Sequence, residues 1–96
     1  MWARVTTIEG TPDQADIAVK LVEENVIPAA KQWQGFSGGW WLLDRATGRM
    51  IAMTLWDSEE TLNASAEAAT TLRKDTTDEL GGNIVSVESY EVAAKA

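Results

Sequence analysis

The sequence predicts an α+β, ferredoxin-like βαββαβ fold, in which an antiparallel four-stranded sheet carries two helices on one face. Three observations support this prediction. Strand-like and helix-like apolar patterns follow one another in that order along the 96 residues. A short link that contains Gly48 joins two apolar segments, as in a hairpin. The run Trp40-Trp41-Leu42-Leu43 places one Trp and one Leu on each face of its strand, so both faces of the sheet should be buried.

The first strand and the helix after it have clear local signals. Trp2 to Ile8 is rich in β-branched and aromatic residues, as strands are. Thr11 is a good N-cap, and Pro12 suits the first helical position. An apolar stripe with helical spacing follows, formed by Ala15, Ala18, Val19, Val22, Val26, Ala29 and Trp33. Pro28 should kink this helix or loosen its last turns, because proline cannot donate a backbone hydrogen bond.

The middle of the chain is a predicted hairpin. Its strands run from about Phe36 to Asp44 and from about Met50 to Trp56, and Arg45 to Gly48 form the turn. Gly38-Gly39, early in the first of these strands, predicts a β-bulge or a bend.

The last third predicts a helix and a fourth strand. Asp57 is the expected N-cap of the helix, with Glu60 completing a capping box. Its inner side should carry Leu62, Ser65, Ala66, Ala69, Leu72 and Thr76. Gly81-Gly82 should end the helix, and Ile84 to Val92 should form the strand. Right-handed crossovers then predict the spatial strand order 4-1-3-2.

Two helices on one face leave the other face of the sheet uncovered. A large exposed apolar patch marks an interaction surface, and a two-fold homodimer that packs sheet against sheet is the simplest solution. The alternative is that the Trp pair lies at an edge of the sheet, with one ring half exposed.

Composition bounds the function. The chain should form one domain over residues 1–96. Its formal charge of −7 and pI near 4.4 argue against nucleic-acid partners and anionic membrane surfaces, which both attract basic proteins. It has no Cys and no His, which excludes Cys-His and Ser-His-Asp centres and leaves no metal site expected. With no leader-like or spanning apolar run, a cytoplasmic location is expected.

Three short motifs carry a resemblance to a known family. They are Val26-Ile27-Pro28-Ala29-Ala30, then Gln34-Gly35-Phe36, and finally Trp56-Asp57-Ser58-Glu59-Glu60. Together with the element order, they resemble the antibiotic biosynthesis monooxygenase-like branch of the dimeric α+β barrel superfamily. The resemblance implies a dimeric α+β barrel and, where activity is retained, oxygenation without a cofactor.

One departure from that family bears on function. Many relatives carry a His on the second helix, nine residues after the Trp that precedes it, where this chain has Ser65. In haem-degrading members a His on that helix ligates iron. Haem degradation of that kind is therefore not expected here.

The candidate site residues are aromatic and polar. Trp41, Trp56 and Tyr90 could line an apolar ligand pocket between sheet and helices, although packing of the core or a dimer interface is the favoured explanation for any single Trp. Arg4 and Ser65 are the catalytic candidates, as donors to a developing oxyanion. Thr6 and Asn63 are further polar candidates. For Arg4 the alternative is an interface or edge-strand charge, and for Ser65 a space-filling role.

Two functional hypotheses follow. In the first, the chain is a small-molecule-binding dimer and a cofactor-independent monooxygenase that acts on an aromatic or polyketide-like substrate. In the second, it is a non-catalytic binding or stress-associated dimer of the same fold.

Overall fold

The computed structural model describes all of residues 1–96. Four strands form the sheet: β1 (Trp2–Glu9), β2 (Phe36–Asp44), β3 (Arg49–Trp56) and β4 (Asn83–Glu91). A first helical segment follows β1 and consists of a 3₁₀ turn (Pro12–Gln14), α1 (Ala15–Leu21), a π turn (Val22–Val26) and α2 (Ile27–Ala30). A second helical segment follows β3 and consists of α3 (Glu59–Ala64) and α4 (Ala66–Leu80). No helix is both long enough and apolar enough to cross a membrane.

The sheet has the predicted topology. Its spatial order is β2-β3-β1-β4, and every neighbouring pair is antiparallel. The register between β2 and β3 shifts between Phe36 and Gly38, which confirms the predicted bulge at the two glycines. A second shift, between Thr7 and Ile8, affects the pairing of β1 with β4. The ferredoxin-like fold class is therefore confirmed.

Pro28 changes the hydrogen bonding of the helix before it, as predicted. Ile27 N–H donates to Val22 O, five residues back, and this wider turn lets the helix continue past a residue that has no N–H. The extra residue in the turn rotates the apolar stripe. Ala30 is buried where the regular spacing predicted Ala29.

The second helical segment begins one residue later than predicted. Ser58, not Asp57, is the N-cap, and its hydroxyl accepts a hydrogen bond from Thr61 N–H while the Thr61 hydroxyl accepts one from Ser58 N–H. The predicted cap of Asp57 with Glu60 is thus wrong, because the Asp57 carboxylate instead accepts a hydrogen bond from the Ser37 hydroxyl. At the other end Gly81 adopts the left-handed conformation, with φ of 69°, as predicted for this helix stop.

Gly48 ties the hairpin turn to the start of the first helical segment. Its φ is +81°, and a Cβ at this position would lie 2.4 Å from the backbone carbon of Thr11. Gly10 N–H donates to Gly48 O at 3.2 Å. Only glycine tolerates both the conformation and the close approach, so this contact fixes one end of the space between sheet and helices.

The two faces of the sheet have different surroundings. Trp56, on the helix-facing side, is 0% exposed. On the outer side Trp40 is 55% exposed and Leu42 and Tyr90 are each about half exposed. Strand β2 is an edge strand, so the Trp pair lies at an edge of the sheet with the Trp40 ring about half exposed, as the alternative expected, and Tyr90 is exposed on the opposite edge strand β4.

Candidate functional site

A cavity of about 110 Å³, partly open to solvent, lies between the helix-facing side of the sheet and the helical segments. It exists because small side chains stand opposite one another: Ala15, Ala18, Ala30, Ala52 and Ala69 all line it. Alanine side chains are too short to fill the gap between a sheet and the helices packed on it. None of the lining residues is Asp or Glu.

Aromatic rings line one part of the cavity. Trp56 is stacked with Trp33, with ring centroids 6.2 Å apart and planes at 17°. Phe36 packs edge-on against Trp56 at 5.7 Å. Trp56 Nε1 donates to Thr54 Oγ1 at 3.0 Å, so this buried indole has a hydrogen-bond partner. Because Trp56 is 0% exposed, the partly exposed rings of Trp33 and Trp41 are the ones that offer apolar surface to a ligand.

Arg4 brings a positive charge to the same cavity. It projects from the helix-facing side of β1, is 6% exposed, and its guanidinium lies 5.3 Å from the centroid of the Trp56 ring. Arg4 Nη2 donates to Leu62 O at 2.8 Å and to Ser65 Oγ at 3.1 Å. No carboxylate pairs with it, since the one ion pair of the chain joins Arg45 and Asp16.

Ser65 lies at the junction of α3 and α4. Its hydroxyl donates to Leu62 O at 2.8 Å and accepts from Arg4, so two side chains satisfy the Leu62 carbonyl. The hydroxyl is therefore committed to the joint between the helices and to holding Arg4 in place. Ser65 is a positioning residue for Arg4.

A second arginine, Arg73, also lines the cavity. The sequence did not lead us to predict it as a site residue. Arg73 lies on α4, half-buried, without an ion pair or side-chain hydrogen bond. The neighbours three and four positions away on α4 are Ala69, Thr70, Thr76 and Thr77, none of them charged. A sequence signal for it existed: the stripe Ala69, Leu72, Thr76 runs directly beside position 73, whereas the acidic residues of α4 lie elsewhere.

Burial affects both arginines. Desolvation lowers the pKa of Arg4, and the nearby positive charge of Arg73 lowers it further. Desolvation also lowers the pKa of Arg73. The lowered pKa values mean that the surroundings of both arginines in the folded chain disfavour the charged form.

The structure brings together most of the predicted site residues. Trp41 and Trp56 line the cavity, as do Arg4 and Thr6. Ser65 does not line the cavity, but its hydroxyl accepts a hydrogen bond from Arg4.

Two predicted residues lie elsewhere. Tyr90 is paired with Ala3 in the ladder, which places it on the outer side of the sheet, 50% exposed and outside the cavity. Its hydroxyl donates to Glu88, and this hydrogen bond raises the pKa of Tyr90. Asn63 is exposed on α3 and does not reach the cavity either.

No group of three or more His, Cys, Asp or Glu residues is placed to hold a metal ion. Ser65, at the position where the resemblance described above implies a His, has its hydroxyl engaged by Arg4 and by Leu62 O.

No protein-family model matches the chain. Two uncharacterized proteins of Mycobacterium tuberculosis, Rv2557 and Rv2558, are similar to it in sequence. Rv2557 is 36% identical over 94 residues, which are 98% of this chain and 42% of the relative. Rv2558 is 34% identical over 93 residues, which are 97% of this chain and 39% of the relative. The chain thus spans about two fifths of the length of the curated relatives it matches.

Solved structures share the fold over nearly the whole chain. A protein from Deinococcus radiodurans, proposed to be an antibiotic biosynthesis monooxygenase, has a TM-score of 0.78 at 17% identity and covers 100% of this chain and 96% of its own. The ActVA-Orf6 monooxygenase of Streptomyces coelicolor, solved with nanaomycin D, has a TM-score of 0.71 at 15% identity, covering 99% and 88%. The haem degrader MhuD of Mycobacterium tuberculosis, solved with two haems, has a TM-score of 0.72 at 18% identity, covering 100% and 99%. The resemblance in the sequence to antibiotic biosynthesis monooxygenase-like proteins is therefore confirmed in the fold.

Proposed function

We propose that this chain, with the fold of the antibiotic biosynthesis monooxygenases, binds a compact aromatic molecule in its cavity and oxygenates it without a cofactor. The observation that carries the proposal is the pairing, in one cavity, of the Trp33–Trp56 stack with a buried cation, Arg4. A cavity that served only the core would have no need of a guanidinium without a carboxylate partner, because burying one costs free energy.

The chemistry requires little from the protein. An ionised phenol is rich enough in electrons to reduce molecular oxygen, and the resulting radical pair combines into a hydroperoxide on the ring. Loss of water from the hydroperoxide leaves a quinone, so one phenol and one O₂ give one quinone and one water. Oxygen is both the oxidant and the source of the new carbonyl oxygen.

Three features of the cavity suit this reaction. The tryptophan rings hold the substrate and exclude water. The Arg4 guanidinium, fixed by Leu62 O and Ser65 Oγ, stabilises negative charge on the phenolate oxygen and on the hydroperoxide. Thr6, next to Arg4 on the same face of β1, is a further hydroxyl donor in the cavity.

Haem does not fit this cavity. The chain has no His to ligate iron, and a space of about 110 Å³ is far smaller than a haem. The proposal therefore follows the oxygenase with bound nanaomycin D rather than the haem degrader.

Oxygen consumption tests the activity directly. Purified protein is mixed with a panel of phenols, quinols and anthrones, with no cofactor added and with a metal chelator present. We expect one O₂ consumed for each quinone formed with at least one member of the panel. The Arg4→Met variant should lose most of this rate, and Arg49→Met, which removes an exposed charge outside the cavity, should keep it. Binding without oxygen uptake by the unaltered protein would contradict the oxygenase proposal.

The second candidate function is binding without catalysis. One observation favours it: no Asp, Glu, His or Cys lines the cavity, so the protein itself offers no conventional base to take a proton from the substrate. Thermal-shift binding of aromatic ligands, with no oxygen uptake for any of them, would support this function over the first.

We further propose that the chain forms a homodimer through the outer side of the sheet. Trp40 and Leu42 on one edge strand and Tyr90 on the other expose apolar side chains there, which water disfavours. A dimeric ferredoxin-like protein from an uncultured marine organism has a TM-score of 0.72 at 12% identity. Analytical ultracentrifugation at micromolar concentration tests the proposal, and sedimentation as a monomer would contradict it.

A further inference from the structure

We propose that the ligand of the cavity is a small organic anion with an apolar body about one ring in size, held at its charged end by Arg4 and Arg73. This inference rests on the proposed ligand-binding function and deepens it by naming the ligand class. It concerns the charge and the size of the ligand, whether or not oxygen then reacts with it.

The distribution of charge is the first argument. The chain has 15 acidic and 8 basic residues, yet the cavity is lined by two arginines and by no acidic residue. Two unpaired cations that border one cavity repel each other, and burial partly desolvates both. A bound anion would remove both costs at once.

The free donors of Arg4 are the second argument. A guanidinium has five N–H groups, and Arg4 uses only those on Nη2, for Leu62 O and Ser65 Oγ. Nε and Nη1 have no protein acceptor, and neither is sealed from solvent, because no buried side-chain nitrogen of the chain lacks a partner. Since Arg4 is only 6% exposed and lines the cavity, these donors face its interior. The three remaining N–H groups, one on Nε and two on Nη1, can each donate a charge-assisted hydrogen bond to a carboxylate or phenolate oxygen.

Arg73 supplies the second charge without a structural duty. It makes no hydrogen bond or ion pair through its side chain, and its helical neighbours are uncharged. The acidic residues that follow Arg73 on α4 are exposed and do not line the cavity: they are Asp75, Asp78 and Glu79. Their charges therefore do not neutralise Arg73. An arginine without a partner in the protein is available for a ligand.

Volume limits the apolar body of the anion. An apolar protein cavity of roughly 150 Å³ accommodates benzene. At about 110 Å³ this cavity takes approximately one ring, with the rest of a larger ligand outside its mouth. Trp33 and Trp41, which line the cavity and are partly exposed, offer the flat surfaces against which such a ring packs.

The missing base of the cavity gives a third argument. With no carboxylate or imidazole among the lining residues, the site does not deprotonate a neutral phenol by itself. A ligand that arrives already ionised avoids this step, and two arginines favour the ionised form on binding.

Binding of benzoate and benzamide tests the inference, because the two probes have nearly the same shape and differ in charge. Dissociation constants are measured near neutral pH by calorimetry or by NMR titration. We expect benzoate to bind at least about tenfold more tightly than benzamide, since a charge-assisted hydrogen bond exceeds a neutral one. Inorganic phosphate alone should bind more weakly than benzoate, because it lacks the ring.

Variants at two positions of α4 test whether Arg73 causes the preference for benzoate over benzamide. Arg73→Gln should bring the two dissociation constants within about threefold of each other and leave that of benzamide unchanged. Lys74→Gln removes an exposed charge from the next position on α4 and should keep the full preference. Arg73 forms no hydrogen bond through its side chain, so Arg73→Gln should fold normally, which thermal unfolding checks.

The outcomes separate this inference from the proposed function. Equal binding of benzoate and benzamide, or an unchanged preference in Arg73→Gln, would overturn the anion site while leaving the ligand-binding function in place. Phosphate binding as tight as benzoate binding would overturn the ring-sized body. No binding of any probe, alone or in the wider aromatic panel, would overturn the proposed function and this inference with it.

Discussion

The two sides of the sheet are built from the same four strands and differ in how their side chains meet their surroundings. The helix-facing side is covered, yet small residues leave a cavity there, and two arginines border it. The outer side carries large apolar residues such as Trp40 and Leu42, and nothing in the single chain covers them. Incomplete filling on one side and incomplete covering on the other both leave room for a second molecule: a small ligand in the first case and a partner chain in the second.

Removing one tryptophan from each side is the sharpest test of this comparison. Trp56→Ala should destabilise the chain by about 3–5 kcal/mol, because it deletes a fully buried ring and the stack with Trp33. Trp40→Ala should cost less than about 1 kcal/mol under conditions in which the chain is monomeric, because its ring is 55% exposed. Urea unfolding of both variants measures the difference. Equal decreases in the free energy of unfolding would show that the two sides of the sheet do not differ in packing.

A charge on the outer side should act on assembly. Leu42→Glu should weaken the proposed dimer by about 100-fold or more, because a carboxylate would be buried against apolar side chains. Ile17→Glu is the matched control, since Ile17 is an equally exposed apolar residue but lies on α1. Sedimentation velocity over a range of concentrations reports the dissociation constants. If Leu42→Glu leaves the dissociation constant of the dimer unchanged and Ile17→Glu raises it, the interface lies on the helices.

Filling the cavity should act on ligand binding. Ala69→Leu adds a side chain that projects into the cavity and should weaken binding of an aromatic probe by about tenfold or more. Because the space is unfilled, the free energy of unfolding should change by less than about 1 kcal/mol. Ala68→Leu, at an exposed neighbouring position, should affect neither property. Calorimetric titration and thermal unfolding check the pair, and full affinity in Ala69→Leu would contradict the assignment of this cavity as the ligand site.

Removing the unpaired charge of Arg73 should have the smallest effect. Arg73→Met should stabilise the ligand-free chain by about 1 kcal/mol or less, because a desolvated cation without a partner opposes folding. Arg49→Met, at an exposed site, should be close to neutral.

The stabilisation expected for Arg73→Met should not depend on pH near neutrality. Folding lowers the pKa of Arg73, so the unfolded chain binds the proton more tightly and the wild-type penalty fades only in strongly alkaline solution. Thermal unfolding at about pH 6 and about pH 8 should therefore give the same gain for Arg73→Met. Destabilisation at both pH values would show that Arg73 has a partner and a structural role.

Local patterns accounted for much of the fold. The spacing of apolar residues, the proline in the first helical segment and the Gly81 helix stop each act within a few residues, so their outcomes could be predicted. The N-cap was misplaced by one residue because Asp57 and Ser58 are both good caps. The choice between them depends on Ser37, twenty residues away in the chain, which engages the Asp57 carboxylate.

The site was predictable only in part. Trp41, Trp56 and Arg4 were expected from residue type and strand position, and they do line the cavity. Tyr90 was grouped with them, although the alternation of Val85 and Val87 with Ser86, Glu88 and Tyr90 could have indicated that it lies on the other face. Arg73 was missed because a charged residue on an amphipathic helix is usually solvated, although its position beside the stripe of Ala69, Leu72 and Thr76 indicated the inner side.

The sequence by itself determined the order of the elements, their approximate ends and the presence of apolar side chains on both faces of the sheet. The tertiary structure alone decided which alternate residues of each strand face the helices, where the cavity lies, that Arg4 and Arg73 border it, and that Ser65 accepts a hydrogen bond from Arg4. The reason is physical. Alternation along a strand and periodicity along a helix are local properties, whereas the ladder register and the rotation of a helix over the sheet are set by contacts between distant segments. A single wider turn at Val22–Val26, or one bulge between Thr7 and Ile8, changes which side chains meet.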